Sequence, residues 1–254
     1  EFIMKAQKDD KFKQTINNSY LSIPDGVGVL MAKKYLDEIG TISRKNILFP
    51  ILYIIKGVQV GFKSILKADY LGERLTGSSL IYNMCEIAEK NNWNVFLLGG
   101  WEKDMFGKMK TESGDIAKKA AAKLKELYPK LSIVGSTSDF SDNKEDDEKT
   151  VNYMKRQINK KSEDGIDIVF VAYSYGNQEK WLERNLQKIP AKLGIGIGGT
   201  FDQIVGKQRR CPKVLANIHL EWLFRLITQP WRIRRVLTAF PYFPYRVFIS
   251  SLKQ

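Results

Sequence analysis

Four short apolar runs, separated by helical patterns, constrain the fold of this chain more than any other feature. The runs are Asn94–Leu98, Leu131–Gly135, Ile166–Ala172 and Leu193–Ile197. The helical patterns between them cover residues 115–127, 151–162 and 178–187. Continuous apolar strands that alternate with helices are typical of a parallel sheet covered on both faces. The sequence therefore predicts an α/β fold with helices on both faces of the sheet.

Polar or glycine-rich turns follow the predicted strands. The N-terminal part adds a predicted helix over Phe2–Asn17, a short strand over Tyr20–Pro24 and a helix over Val29–Leu36. In parallel sheets, ligands bind at the carboxyl ends of the strands. Four turns lie at such ends, at residues 25–28, 99–102, 173–178 and 198–202. We expect these turns to converge on one cleft.

The chain has few residues suited to metal or triad chemistry. It contains one histidine, His219, and two cysteines, Cys85 and Cys211. A zinc site built from His and Cys is therefore nearly excluded, and a Ser-His-Asp triad would depend on that one histidine. The glycines of 194–199 fit a dinucleotide fingerprint only loosely, and close approach to a ligand or a neighbouring helix explains them better. We predict no metal site and no cofactor.

Basic charge is concentrated at the C-terminal end. The chain carries 41 Lys and Arg against 28 Asp and Glu, a formal charge of +13. Segment 207–254 alone holds ten basic residues and one acid, interleaved with aromatic side chains. This pattern suits an anionic membrane interface or a nucleic-acid surface. A solvated basic helix with a few core aromatics is the plainer alternative.

A second apolar segment, Ile47–Leu66, does not fit the alternation of strands and helices. Pro50, Lys56 and Lys63 make it a poor transmembrane helix. It is either an amphipathic element that lies on a membrane or a helical insertion that packs against the core.

Asp25 is the acidic residue with the most suggestive position. It lies between Pro24 and Gly26 at the end of a predicted strand, where a catalytic carboxylate would lie. Pro-Asp-Gly is also a common turn sequence, so a purely structural role is the alternative.

An ordered series of motifs carries a resemblance to a known family. The series comprises Pro24–Val29, Arg74–Ser78, Val95–Gly100, Tyr128–Pro129 with Ile133–Gly135, Asp167–Ala172, Gln178–Trp181, Gly196–Asp202, Gly206–Lys207, and Glu221–Arg225 with Pro230. In this order the motifs resemble the WecG/TagA/CpsF family of bacterial glycosyltransferases. The resemblance spans nearly the whole chain and implies a Rossmann-like sheet with a basic, helical C-terminal appendage.

The resemblance also implies an activity. Family members move a sugar, typically N-acetylmannosamine or its uronic acid, from a UDP-sugar to a sugar on undecaprenyl diphosphate. They invert the anomeric centre and are not known for an Asp-x-Asp metal site, and this chain has no such motif. The resemblance therefore implies a role in cell-surface polysaccharide or teichoic acid synthesis. A basic nucleic-acid-binding protein remains the alternative from another class.

Site residues follow from the same match. Asp25 is expected to be the general base, and Arg74 and Gln178 to line the substrate pocket. Other expected substrate-binding residues lie in matched motifs or in the basic tail: Thr76, Gly99, Gly100, Gly198, Thr200, Asp202, Arg225, Arg232 and Arg235.

Two domains are expected. Residues 1–206 would form the glycosyltransferase domain, with an apolar insertion at about 38–72 and without the N-terminal strand that precedes the matching segment in the family. Residues 207–254 would complete the active site and contact the membrane. The expected partners are a UDP-sugar, an undecaprenyl-diphosphate-linked sugar and an anionic membrane surface, without nucleic acid and with self-association left open. The expected location is cytoplasmic, on the inner face of the cell membrane.

Overall fold

A four-stranded parallel sheet forms the centre of the computed structural model. The structure describes residues 1–24, 26–67, 69–72, 77–100, 114–161, 165–173, 175–207, 211–212, 215, 220–230 and 233–253. The described strands are β1 (Asn94–Gly99), β2 (Ser132–Thr137), β3 (Ile166–Ala172) and β4 (Ala191–Gly196). Their order across the sheet is β2-β1-β3-β4, and every neighbouring pair is parallel. The four predicted strands are thus confirmed within a few residues at each end.

Helices and short turns make up most of the remaining described chain. The helices preceding the sheet are α1 (Phe2–Ala6), α2 (Asp10–Asn17), α3 (Val27–Ile39), α4 (Phe49–Leu66) and α5 (Gly77–Lys90). Those between and after the strands are α6 (Ile116–Leu127), α7 (Lys144–Lys161), α8 (Asn177–Asn185), α9 (Thr200–Ile204), α10 (Glu221–Thr228), α11 (Ile233–Leu237) and α12 (Phe243–Lys253). A 3₁₀ turn, Leu186–Lys188, follows α8, and a π-type turn, Thr238–Tyr242, joins α11 to α12.

Alternate residues of each central strand enter different hydrophobic clusters. Val95 and Leu97 of β1 pack with α5, α6 and α9, whereas Phe96 and Leu98 pack with α7 and α8. In β3, Ile168 and Phe170 lie in the first of these clusters, and Val169 and Val171 lie in the second. Because both faces of a parallel sheet are buried, its strands read as continuous apolar runs. The predicted α/β fold with a Rossmann-like sheet and helices on both faces is confirmed.

Three predictions for individual elements need correction. Tyr20–Pro24 is not a strand, and Tyr20 and Leu21 are exposed, since no strand of the described chain pairs with this short apolar run. The helix predicted over 2–17 is broken after Ala6, where the Asp9 side chain accepts a hydrogen bond from Phe12 N and caps α2. The acidic loop predicted over 141–148 is helical from Lys144, because acids in a first turn stabilise the helix dipole.

A third hydrophobic cluster joins the apolar insertion to the C-terminal helix. Tyr35 and Ile39 of α3 pack with Tyr53 and Val60 of α4, and side chains of α12 complete the cluster. The Tyr35 hydroxyl lies 3.2 Å from the Ser251 hydroxyl. Within the segment Ile47–Leu66, the helix begins at Phe49, and one side of it packs against protein.

Gly135 of β2 leaves room for the buried ring of Phe96. A Cβ atom at Gly135 would lie 2.3 Å from Phe96 Cε2, and Phe96 has no exposed surface. We predict that Gly135→Ala lowers the free energy of unfolding by about 1–3 kcal/mol, because this ring has little freedom to move. Urea denaturation measures the change. Gly57→Ala in α4 is the control, since its Cβ would meet Tyr35 at an ordinary 3.6 Å, and an equal loss there would contradict the packing argument.

Candidate functional site

The carboxyl ends of β1, β3 and β4 meet at one edge of the sheet. The backbone N–H of Gly100 donates to the Ala172 carbonyl oxygen at 2.9 Å, and Ile197 N donates to the Val171 oxygen at 2.9 Å. The Ser138 hydroxyl, which follows β2, donates to the Gly99 oxygen at 2.6 Å. In the described residues, three of the four turns expected to converge do so. The fourth, at 25–28, does not follow a strand.

Two glycines form the turn after β1. Gly99 and Gly100 have φ angles of +91° and +85°, in the region that favours glycine. A Cβ atom would lie 2.9 Å from the Tyr173 ring at Gly99 and 2.8 Å from the Phe201 ring at Gly100. Both positions therefore need glycine for their conformation and for the close approach of aromatic rings.

Gln178 connects the turns that follow β3 and β4. Its side chain is only 4% exposed. Gln178 Oε1 accepts a hydrogen bond from Gly198 N at 2.9 Å, and Nε2 donates to Glu179 Oε1 at 2.7 Å. A Cβ atom at Gly196 would lie 2.6 Å from Gln178 Nε2, so that glycine makes room for the amide. Gly194 and Gly196 thus permit close packing of α8, which is one of the two explanations that the sequence offered for these glycines.

Glu179 is a partly buried acid that the sequence analysis did not single out. Its second oxygen accepts a hydrogen bond from Gly176 N at 2.6 Å and caps α8. Burial raises the pKa of the Glu179 carboxyl group, although the Gln178 and Gly176 donors oppose this effect. The sequence signal that could have identified Glu179 was its position beside Gln178 in a matched motif. Glu179 holds the Gln178 amide in one orientation.

Thr200 and Asp202 belong to α9, which follows β4. The buried Thr200 hydroxyl donates to the Ile197 oxygen at 2.5 Å and so stabilises the turn. Asp202 is partly exposed in the first turn of α9. A Cβ atom at Gly77 would lie 3.5 Å from Thr200 Oγ1 and from the Ile197 oxygen. The first residue of α5 therefore lies beside the end of β4.

Arg235 brings the basic C-terminal segment to the same edge. Its guanidinium carbon lies 4.9 Å from the ring centre of Tyr175, in the turn after β3. Its Nε and Nη2 atoms bind the two oxygens of Glu1 at 2.7 and 2.5 Å. Lys5 Nζ lies 5.1 Å from the same tyrosine ring. Two cations thus flank Tyr175, which the sequence analysis missed within the predicted turn 173–178.

The remaining predicted site residues divide into two groups. Arg225 forms an ion pair with Glu221 of its own helix at 2.5 Å and is partly exposed. Asp25, Arg74, Thr76 and Arg232 lie outside the described residues, as does His219. The structure therefore brings together the following predicted residues: Gly99, Gly100, Gln178, Gly198, Thr200 and Arg235.

The described residues contain no group of three or more His, Cys, Asp or Glu side chains that could hold a metal ion. Besides the carboxylates of Glu1, Glu179 and Asp202, the polar groups at the sheet edge include backbone amides, the Gln178 amide and the cations around Tyr175. Amides and cations of this kind suit an anionic ligand such as a diphosphate.

Removal of the Gln178 side chain should destabilise the edge of the sheet. Gln178→Ala leaves Gly198 N and one Glu179 oxygen without their partner, which costs about 1–3 kcal/mol of unfolding free energy. Chemical denaturation followed by circular dichroism checks this value. Gln187→Ala, in the exposed 3₁₀ turn after α8, should change stability by less than about 0.5 kcal/mol. Equal effects of the two substitutions would argue against the bridging role.

Comparison with known proteins places the chain in a family. The model of the glycosyl transferase WecG/TagA/CpsF family matches residues 52–254. A Bacillus subtilis (strain 168) protein, N-acetylglucosaminyldiphosphoundecaprenol N-acetyl-beta-D-mannosaminyltransferase, is 26% identical over 94% of this chain and 72% of its own length. Proteins of the same name are 24% identical: one from Bacillus spizizenii over the same shares, and one from Staphylococcus aureus (strain MRSA252) over 72% of this chain and 63% of its own. Because the family match covers far more than half of the sequence and the fold agrees with it, this chain belongs to the WecG/TagA/CpsF family of glycosyltransferases.

Proposed function

We propose that this protein is an inverting, metal-independent glycosyltransferase that acts in cell-surface polysaccharide or teichoic acid synthesis. Its donor would be a UDP-sugar of the N-acetylmannosamine type, and its acceptor a sugar linked to a polyprenyl diphosphate. The names of the relatives support this acceptor class and this sugar. The observation that carries the proposal is the meeting of the Gln178 amide, the glycine turns and Arg235 at one edge of the sheet.

The leaving UDP group sets the electrostatic requirement of the site. Negative charge develops on its diphosphate as the sugar leaves, and cations or backbone N–H groups must stabilise that charge. Arg235 binds the Glu1 carboxylate through two parallel N–H groups, a geometry that phosphate also accepts. Arg235 is therefore the proposed diphosphate ligand among the described residues. Arg74, Arg225 and Arg232 are proposed as further substrate ligands from the motif match.

The acceptor requires a general base. In an inverting transfer, the acceptor hydroxyl attacks the anomeric carbon while one base removes its proton. Asp25 is the proposed base from its motif, directly before Gly26, the N-cap of α3. A Cβ atom at Gly28, in the first turn of α3, would lie 3.8 Å from the Phe243 ring of α12, so the C-terminal segment lies close to this end of α3.

The third hydrophobic cluster connects the two proposed domains. Residues 1–206 would carry the nucleotide-binding sheet, and residues 207–254 would supply arginines and contact with the inner face of the cell membrane. Within the second segment, α12 packs on α3 and α4 through the third hydrophobic cluster. Deletion of the segment would therefore uncover Tyr35 and Tyr53, so point substitutions test its role more cleanly.

We predict that Asp25→Asn lowers turnover by about 100-fold or more while donor binding is largely retained, because only proton removal is lost. Release of UDP is measured with a lipid-diphosphate-linked acceptor over a panel of UDP-sugars, and donor binding by calorimetry. Asp37→Asn, at an exposed position of α3, is the control and should keep full activity. Near-normal turnover of Asp25→Asn would eliminate Asp25 as the base.

Arg235→Ala should weaken binding of UDP by about 10-fold or more, since a charge-assisted pair of hydrogen bonds is lost. Titration calorimetry with UDP gives the dissociation constant directly. The matched control is Arg246→Ala, on the exposed side of α12 next to Tyr242. The proposed diphosphate contact would be wrong if the two variants bound UDP equally well.

A further inference from the structure

The outward face of α4 is apolar along its whole length. Seven of its side chains are between 46% and 68% exposed: Ile51, Ile54, Ile55, Val58, Phe62, Ile65 and Leu66. Each lies three or four positions from another member, so together they form one continuous stripe on the helix. We call this stripe the α4 outer face. Soluble monomers rarely expose contiguous apolar patches above roughly a few hundred Å², so a partner is expected to cover it.

The opposite side of α4 faces protein. Tyr53, Val60 and Ser64 are buried there, and Tyr53 and Val60 pack against α3 and α12 in the third cluster. Between the two sides, Lys56 and Lys63 reach Glu38 of α3 at 3.4 and 3.9 Å. The helix is thus apolar both toward the protein and away from it, with its lysines held at the protein side.

By length and composition, α4 is also the one helix among the described residues that could cross a membrane. Its contacts argue for a different placement. A crossing helix would carry α3, α12 and the Glu38–Lys56 ion pair into the hydrocarbon layer, where charged groups are costly. A helix that lies in the plane of the membrane surface would insert only the α4 outer face.

Charge around α4 indicates the chemistry of the partner. Residues 40–68 contain five basic side chains and no acid. Two of them, Lys56 and Lys63, pair with Glu38 of α3, so Arg44, Lys45 and Lys67 carry the remaining positive charge of this segment. Lys45 and Lys67 are exposed just beyond the two ends of the helix. An anionic surface complements this charge, whereas a second copy of the chain, packed face to face, would bring like charges together.

We propose that the α4 outer face inserts into the headgroup and acyl boundary of an anionic membrane, with α4 parallel to the surface. This inference deepens the proposed function and rests on it only for the presence of a lipid-linked acceptor. A Cβ atom at Gly57 of α4 would lie 3.6 Å from the Tyr35 ring of α3. Because α3 packs along α4 in this way, the docked helix would fix α3 relative to the lipid. The start of α3, next in sequence to Asp25, would then be held at a set depth for an acceptor anchored in the membrane.

Vesicle binding by the full chain tests the proposal. The variant Val58→Glu/Phe62→Glu places two carboxylates at the centre of the α4 outer face, and Val58→Ser/Phe62→Ser removes apolar area without adding charge. The control is Ile87→Glu/Leu127→Glu, which changes two exposed apolar residues of α5 and α6. Sedimentation with vesicles of phosphatidylglycerol and phosphatidylcholine gives the affinity, circular dichroism verifies folding, and light scattering gives the oligomeric state.

We expect the glutamate variant to bind these vesicles at least about 10-fold more weakly than the unaltered protein, the serine variant to fall between them, and the control to bind normally. Unchanged vesicle binding by both α4 variants would overturn the proposal. A dimer of the unaltered protein that the glutamate variant dissociates, with vesicle binding intact, would overturn it in favour of a second copy.

Activity on a water-soluble, short-chain diphosphate-linked acceptor separates this inference from the proposed function. If both hold, the glutamate variant keeps UDP release with the soluble acceptor and loses it with a long-chain acceptor in vesicles. If the unaltered protein transfers no sugar, while its vesicle binding still depends on Val58 and Phe62, the proposed function fails and the membrane surface is supported.

Discussion

The geometry of the candidate site depends on one buried side chain, Gln178, and the two hydrogen bonds that it makes. Its amide oxygen accepts from Gly198 after β4, and its amide nitrogen donates to Glu179 in the first turn of α8. A buried amide that lacked hydrogen-bond partners would destabilise the fold. Each of the two bonds holds the Gln178 side chain in the orientation that the other bond needs. The turn after β4 and the helix after β3 are thereby held at one edge of the sheet.

The other elements of the site extend from this edge toward the C-terminal segment. Gly99 and Gly100 allow the turn after β1 to approach the rings of Tyr173 and Phe201. Arg235 lies over Tyr175, so a cation from the basic segment stands beside the strand ends. Proximity of amides and cations is the arrangement that a diphosphate leaving group requires. In the proposed account, α4 holds the same assembly at the membrane surface, where a lipid-linked acceptor is available.

Local patterns predicted those parts of the fold in which burial and sequence agree. β3 runs from Ile166 to Ala172, as predicted, because burial on both faces makes a central strand uniformly apolar. Tyr20–Pro24 is also a largely apolar run, but Tyr20 and Leu21 face solvent, and composition does not reveal whether a strand has a partner. Local patterns could not predict contacts between residues that are distant in sequence. The hydrogen bond from Gly198 to Gln178 spans 20 residues, and the hydrogen bond from Arg235 to Glu1 spans 234. Motif order nevertheless identified five residues that meet with Arg235 at the edge.

Hydrogen–deuterium exchange with and without UDP tests the central claim most directly, because it reports where the nucleotide binds along the whole chain. The account predicts slower exchange on UDP binding in Tyr175–Asn185, which includes α8, in Gly198–Ile204, which includes α9, and in Ile233–Leu237. Exchange that is unchanged in all three segments at saturating UDP, or slowed only elsewhere, would contradict a nucleotide site at the carboxyl edge of the sheet.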